Sequence, residues 1–205
     1  SVINLSLGSD GQCSSFEQQA VDFANQQNVM FVAAAGNSGF QLGQQNSVGS
    51  PANCNGAIAV GAHGPQRELA GYSSFGPEVA IVAPGGDEEQ FGQGGGVLST
   101  IGPVTNGYTF DEGTSMATPH VTGSISLMQA INPTLTRAQI VSILQQTGAT
   151  SAGSGGKVAL VLDAALLAVP APTSPPDDPP PTDPPPSDPP PASQDDAFEE
   201  NDSFD

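Results

Sequence analysis

Thirteen of the chain's twenty prolines fall between residues 170 and 191, and they separate a part that can build a core from a part that cannot. Aspartate, serine and threonine fill most of the gaps between them. Such a stretch has few N–H donors and almost nothing apolar to bury. It is expected to run as an extended, partly polyproline II tether, about 3 Å per residue and disordered. Repulsion among its aspartates stretches it further. A ligand for proline-recognising domains is the rival reading, but no basic residue flanks the prolines. Folding therefore rests on residues 1–169, enough for one sizeable core. Residues 170–194 are read as a Pro/Asp-rich linker and 195–205 as a separate acidic end.

The formal net charge of −18 is uneven. Residues 1–169 carry eleven acids and three bases, and residues 170–205 carry ten acids and no base. Nothing here could neutralise phosphates, so nucleic acid is not expected as a partner. An anionic membrane surface is excluded on the same ground, and no apolar run reaches the roughly 18 residues of a membrane span. Few lysines with excess acid suit an extracellular protein. The chain opens at Ser1 inside a strand-like run, so it reads as a piece of a longer precursor. The two cysteines, Cys13 and Cys54, show no metal-ligand spacing. They are either two buried thiols or one disulfide, and the disulfide is the expectation. It would close a loop of about forty residues, worth roughly 4 kcal/mol in the chain-entropy model, and implies an oxidising compartment.

Strand and helix signals alternate through the body. Val2–Leu5 is short and apolar, hence a strand. Ser14 and Glu17 form a capping box, and Phe16, Ala20, Phe23 and Ala24 recur at helical spacing to about Asn28. Residues 29–34 read as a buried strand, 37–50 as a loop, and 57–60, 79–82 and 97–99 as further strands. Residues 115–131 are apolar on most sides, which predicts a central buried helix ended by Pro133. Thr136 and Gln139 cap another, running to about Gln146. This alternation predicts an α/β fold with a mostly parallel sheet.

The run from Gly113 to Val121, GTSMATPHV, carries the most chemistry. It sets Ser115 after a glycine-threonine turn at the start of the apolar helix. A helix N-terminus offers unpaired N–H groups and partial positive charge to a developing anion. Asn37, in AAAGNSG, follows a strand end. Its amide is a neutral donor that could stabilise an oxyanion beside a serine nucleophile, although Gly-Asn alone is usually only a turn.

These runs resemble the subtilisin-like serine proteases, the subtilases. The resemblance covers most of residues 1–147, through INLSLG, AAAGNSG, SPANC, IAVGA, YSSFGPEVAIVAPGG, VLST and GTSMATPHV in family order. It implies the C-terminal part of a catalytic domain with a three-layer α/β fold, incomplete on its N-terminal side. It implies Ser115 as nucleophile, with Asn37 and the Ser115 N–H as oxyanion donors. Ser6, Leu7 and Gly8 match an edge that pairs with extended substrate. Ala35 and Gly36 match a wall of the pocket for the residue preceding the scissile bond, and Gly49 its floor. Small residues there suggest an open pocket for bulky apolar side chains, with no acid seen in the matched segments. LSLG with GQCSS, and later SPANC, resemble secreted bacterial subtilases in which those segments share a disulfide, here Cys13–Cys54. The end from Asp195 to Asp205 resembles the opening of β-sandwich modules appended to some secreted bacterial peptidases; an acidic disordered end is the alternative.

One departure matters. The family needs an aspartate and a histidine upstream of the serine, and neither motif is present. His120 belongs to the serine motif and lies too close to Ser115 to act as its base. His63 falls at a strand end. Both are expected to be structural or exposed, and Asp10, Asp22, Asp87 and Asp111 to be solvated. Without a base the serine keeps its proton, so this chain alone should be inert and, lacking neighbouring strands, should fold poorly. A truncated ordinary endopeptidase is the main reading. A partner chain supplying the base, or a peptide-binding pseudoprotease, are the alternatives. No organic cofactor is expected. Calcium is possible in the intact parent, but at a weak family site Ala80 stands in place of an aspartate, so that site is not carried over. The expected partners are a protein or peptide substrate and the missing N-terminal part of the same domain.

Overall fold

The computed structural model describes residues 1–39, 48–101 and 107–172. The linker, the acidic end and the middle of the 37–50 loop thus lie mostly outside the described residues. Residues Ser1–Pro172 form one unit.

Its centre is a six-stranded sheet in the order β1-β2-β3-β4-β8-β7. The strands are β1 (Val2–Leu5), β2 (Met30–Ala34), β3 (Ile58–His63), β4 (Val79–Pro84), β7 (Ala149–Thr150) and β8 (Val158–Ala159). Every pairing from β1 to β8 is parallel, and only β7 joins antiparallel. A separate antiparallel hairpin pairs β5 (Val97–Thr100) with β6 (Tyr108–Asp111). Helices α1 (Ser15–Gln26), α2 (Glu88–Phe91), α3 (Thr114–Ile131), α4 (Arg137–Thr147) and α5 (Leu162–Leu167), with a 3-10 turn at Gln93–Gly95, complete the described elements.

Strand alternation sends side chains to two cores. Met30, Val32, Ile58, Val60 and Ile81 face Val121, Ile125 and Met128 of α3 and Ile140 and Leu144 of α4. Phe31, Ala33, Ala59, Val79 and Val82 face Val21 and Ala24 of α1. The result is three layers, helices on both faces of a mostly parallel sheet. A register shift beside Ala59 and Val60 leaves Ala80 between paired residues. That bulge lets Val79 and Ile81 reach opposite cores despite their spacing of two.

Both capping boxes form, Ser14 with Glu17 and Thr136 with Gln139. The apolar face of α1 differs from its sequence reading. Phe16 and Phe23 are exposed, while Val21 and Ala24 are buried. The reason is a close contact with the turn before β3. Gln18 exchanges two hydrogen bonds with Asn55, at 2.8 and 2.9 Å. Asn25 reaches the Gly56 carbonyl, and a Cβ on Gly56 would lie 2.5 Å from the Asn25 amide. Amide pairing to the backbone sets the rotation of this helix, and both phenylalanines stay outside.

Helix α3 is buried along one stripe rather than on most sides. Leu127 and Ile131 are exposed, as is Ile3 on β1, the strand at the sheet's edge. Among the described residues no helix is long and apolar enough to cross a membrane.

Candidate active site

The site forms where the C-terminal end of β2 meets the N-terminus of α3. Gly113 precedes the helix at φ 151°, a conformation that favours glycine. Its N–H donates to the Gly85 carbonyl at 2.9 Å. Gly85 must also be glycine, since a Cβ there would fall 2.4 Å from the Ala62 Cβ and 2.8 Å from the Gly113 carbonyl. The Tyr72 hydroxyl lies within hydrogen-bond distance of the Gly85 and Gly86 carbonyls, at 2.8 and 2.7 Å. Burial, with Glu112 adding repulsion, pushes that phenol's pKa well above its ordinary value, so it stays a neutral donor.

Thr114 clamps the two segments together. Its backbone N–H and its hydroxyl both donate to Asn37 Oδ1, at 3.0 and 2.8 Å. Its hydroxyl oxygen accepts from the Gly36 N–H at 3.2 Å. Two donors on one amide oxygen fix which way the amide points. Asn37 Nδ2 is left facing the start of α3, where a Cβ on Gly113 would lie 3.3 Å from it. Thr114 was part of the quoted motif but had no role in the sequence reading. Its position directly before the serine was the available signal.

Ser115 sits in the first turn of α3, where backbone N–H groups precede any helical acceptor. Its hydroxyl donates to the Ser6 carbonyl at 3.2 Å, and the Ser6 hydroxyl donates to the Ser115 carbonyl at 2.7 Å. The end of β1 is thereby tied to the start of α3.

Leu7, Gly8, Ala35, Gly36, Asn37, Gly49 and Ser115 all line one hollow of about 410 Å³. Ser6 touches this group through Ser115. Gly8 and Gly49 close one side, because Ser9 and Ser50 pair between them as an antiparallel bridge. A Cβ on Gly49 would sit 2.4 Å from the Ser9 carbonyl, and one on Gly8 2.8 Å from that of Ser50. Gly36, at φ 109°, turns the chain toward Asn37. Cys13 and Cys54 form a disulfide, and neither lines the hollow. Glu17 lies close to both sulfurs, and among the described residues these three are the only cluster with metal-ligand proximity. Sulfurs bonded to each other are not thiolate ligands.

Neither histidine is hydrogen-bonded to the Ser115 hydroxyl, which donates to Ser6. His120 is exposed, its Nδ1 within 2.8 Å of the Met116 carbonyl. His63 is buried at the end of β3, its Nδ1 2.8 Å from the Gly64 carbonyl and its Nε2 without a partner. Burial holds its pKa below the usual imidazole value. Asp87 departs from the expectation of a solvated loop, being only 7% exposed. Its carboxylate accepts from the Gln90 N–H at 2.9 Å and caps α2, and Glu112 accepts the Glu88 N–H beside it. Helix capping, not solvation, accounts for this acid. Asp10 is exposed, as expected, but it also lines the hollow. Its place two residues after Gly8 was the only hint.

The Subtilase family model matches residues 1–166. Subtilisin DY of Bacillus licheniformis is 41% identical over 152 residues, 74% of this chain and 50% of that protein. An extracellular protease of Xanthomonas campestris is 39% identical over 169 residues, covering 77% of this chain and 27% of that protein. Among solved structures, a protease from Pseudoalteromonas arctica superposes with a TM-score of 0.74 at 36% identity, covering 82% of this chain and 51% of that one. The chain thus spans about half of the length of two of these relatives and about a quarter of the third. With a family model across residues 1–166 and relatives near 40% identity, the chain belongs to the subtilase family.

Proposed function

We propose that this chain is the nucleophile-bearing part of a serine endopeptidase that cleaves peptide bonds in proteins. The observation that carries the reading is the Thr114 clamp, which sets Asn37 Nδ2 and the Ser115 hydroxyl on one hollow. The Ser115 oxygen attacks the scissile carbonyl while its proton passes to a base. The carbonyl oxygen becomes an oxyanion held by Asn37 Nδ2 and the Ser115 N–H. Collapse expels the amine, which takes the proton, and water then releases the acyl group by the reverse path. Substrate backbone runs along Ser6–Gly8, where main-chain hydrogen bonds suit peptides of varied sequence.

The base and its orienting carboxylate come from a further N-terminal part of the same domain. The free edge of β1 and the exposed Ile3, Leu127 and Ile131 offer that part a place to pack. No organic cofactor is required, and calcium belongs, if anywhere, to the complete protein. The disulfide and the extracellular relatives support secretion.

A second reading, a peptide-binding pseudoprotease, is favoured by the Ser115 hydroxyl donating to a backbone carbonyl instead of a base. Fluorophosphonate labelling decides. The complete protein should be labelled at Ser115 and this chain alone should not. Labelling elsewhere refutes the assignment, and no labelling of the complete protein favours the binder.

A further inference from the structure

We infer that the hollow selects a cationic side chain, lysine or arginine, in the substrate residue preceding the scissile bond, and that Asp10 makes the selection. This rests on the reading of the hollow as the substrate pocket and goes beyond it. Sequence alone suggested a pocket for bulky apolar groups. The structure adds a charge to that pocket.

Among the described residues that line the hollow, Asp10 is the only acidic or basic one. Its carboxylate is exposed at the rim, with Oδ1 held by the Ser38 hydroxyl at 2.9 Å. No base of this chain is paired with it among the described residues. Arg137 donates to the Ala57 carbonyl and Lys157 to that of Pro77. The chain's remaining base, Arg67, lies on the turn after β3, where it acts on His63. Residues 40–47, outside the described ones, include no lysine or arginine in the sequence. The charge is therefore held in position by Ser38 and not neutralised from within.

The walls complete the match. Ala34, Ala35, Gly36, Gly8 and Gly49 give a slot of methyl groups and bare backbone. Lysine and arginine lay an apolar stem along such a surface and keep the charged head in water. A stem in the slot with its head at Asp10 satisfies both parts. An acidic side chain would meet repulsion from Asp10.

The test is affinity, measured on the complete protein carrying Ser115→Ala so that no turnover intervenes. Two blocked tetrapeptide amides are compared, identical except for a terminal lysine or norleucine. An exposed charge pair predicts that lysine binds about three-fold tighter at low salt, with the margin shrinking as salt rises. Asp10→Asn keeps the acceptor for Ser38 and removes only the charge, and it should bring the ratio to about one. Asp22→Asn, on the outer face of α1, should leave the ratio unchanged, which separates Asp10 from the protein's general negative field. Equal affinities before substitution, a ratio insensitive to Asp10→Asn, or no binding of either peptide would each overturn the inference. Failure of the protease reading shows separately, as absent fluorophosphonate labelling with the affinity ratio intact.

Discussion

Strands β2, β3 and β4 are buried along nearly their whole length, whereas β1, in the same sheet, exposes the middle two of its four residues. The difference follows from neighbours. The inner strands have a strand on each side and helices on both faces. β1 has one strand beside it, and the outer face of α3 nearby is uncovered. The site straddles this division. Asn37 and Thr114 hang from the interior through β2 and the buried stripe of α3. Ser6, the other group touching Ser115, hangs from the edge. The half of the site that would hold an oxyanion is thus anchored in a finished core. The other half, tied to Ser6, opens onto the exposed flank of β1, where the base is proposed to approach.

The largest effect should come from the anchored half. Asn37→Leu in the complete protein removes the side-chain donor while keeping the volume, and kcat should fall about 10²–10³-fold with KM little changed, the range known for such donors. The same change also strips two hydrogen bonds from Thr114, so a thermal scan belongs beside the kinetics. A fall in kcat below ten-fold would mean that the amide does not meet the developing charge, and the division of labour drawn here would fail.

The next effect contrasts the two regions directly. Ile58 is fully buried on β3, and Ile58→Ala should cost about 3 kcal/mol by urea unfolding of the complete protein. Ile3→Ala is the sharper probe. With a further segment packed over β1, as proposed, it should cost about 2 kcal/mol. If that flank faces water in the complete protein, the cost drops within about 0.5 kcal/mol, and the place proposed for the missing base must be abandoned.

Much of this arrangement was legible because its signals are local. Gly113 and Gly36 announce turns, two capping boxes announce helix starts, and apolar runs announce the inner strands. The segments carrying Ser115 and Asn37 could be set side by side only through the resemblance to the subtilases, since Gly-Asn after a strand by itself announces no more than a turn. What escaped depended on partners distant in sequence. The face of α1 is set by amide bonds to Asn55 and Gly56, which helical periodicity does not register. β7 and β8 have two residues each, too short for any alternation to show. Asp87 reads in sequence like any solvated acid, because its capping bond to the Gln90 N–H depends on a one-turn helix that no periodicity announces. Asp10 joined the hollow only because the Ser9–Ser50 bridge folds its segment back against Gly49.

The smallest effect expected belongs to His63, which sits at the end of an interior strand yet carries an unpartnered ring nitrogen. Burial lowers its pKa in the folded protein, outweighing the bond to the Gly64 carbonyl, and Arg67 and His120 add repulsion. Its value in the unfolded chain is the ordinary 6.5. Between those two values the unfolded chain binds a proton that the folded one refuses, so the His63 contribution is complete above pH 6.5. It declines as pH falls toward the lower, folded pKa, and levels off beneath it. Urea midpoints of the complete protein at pH 7.5 and 5.5 should therefore differ, with the lower pH less stable. His63→Gln removes the titration and should shrink the difference. An unchanged difference would mean that His63 is not the source of the acid sensitivity.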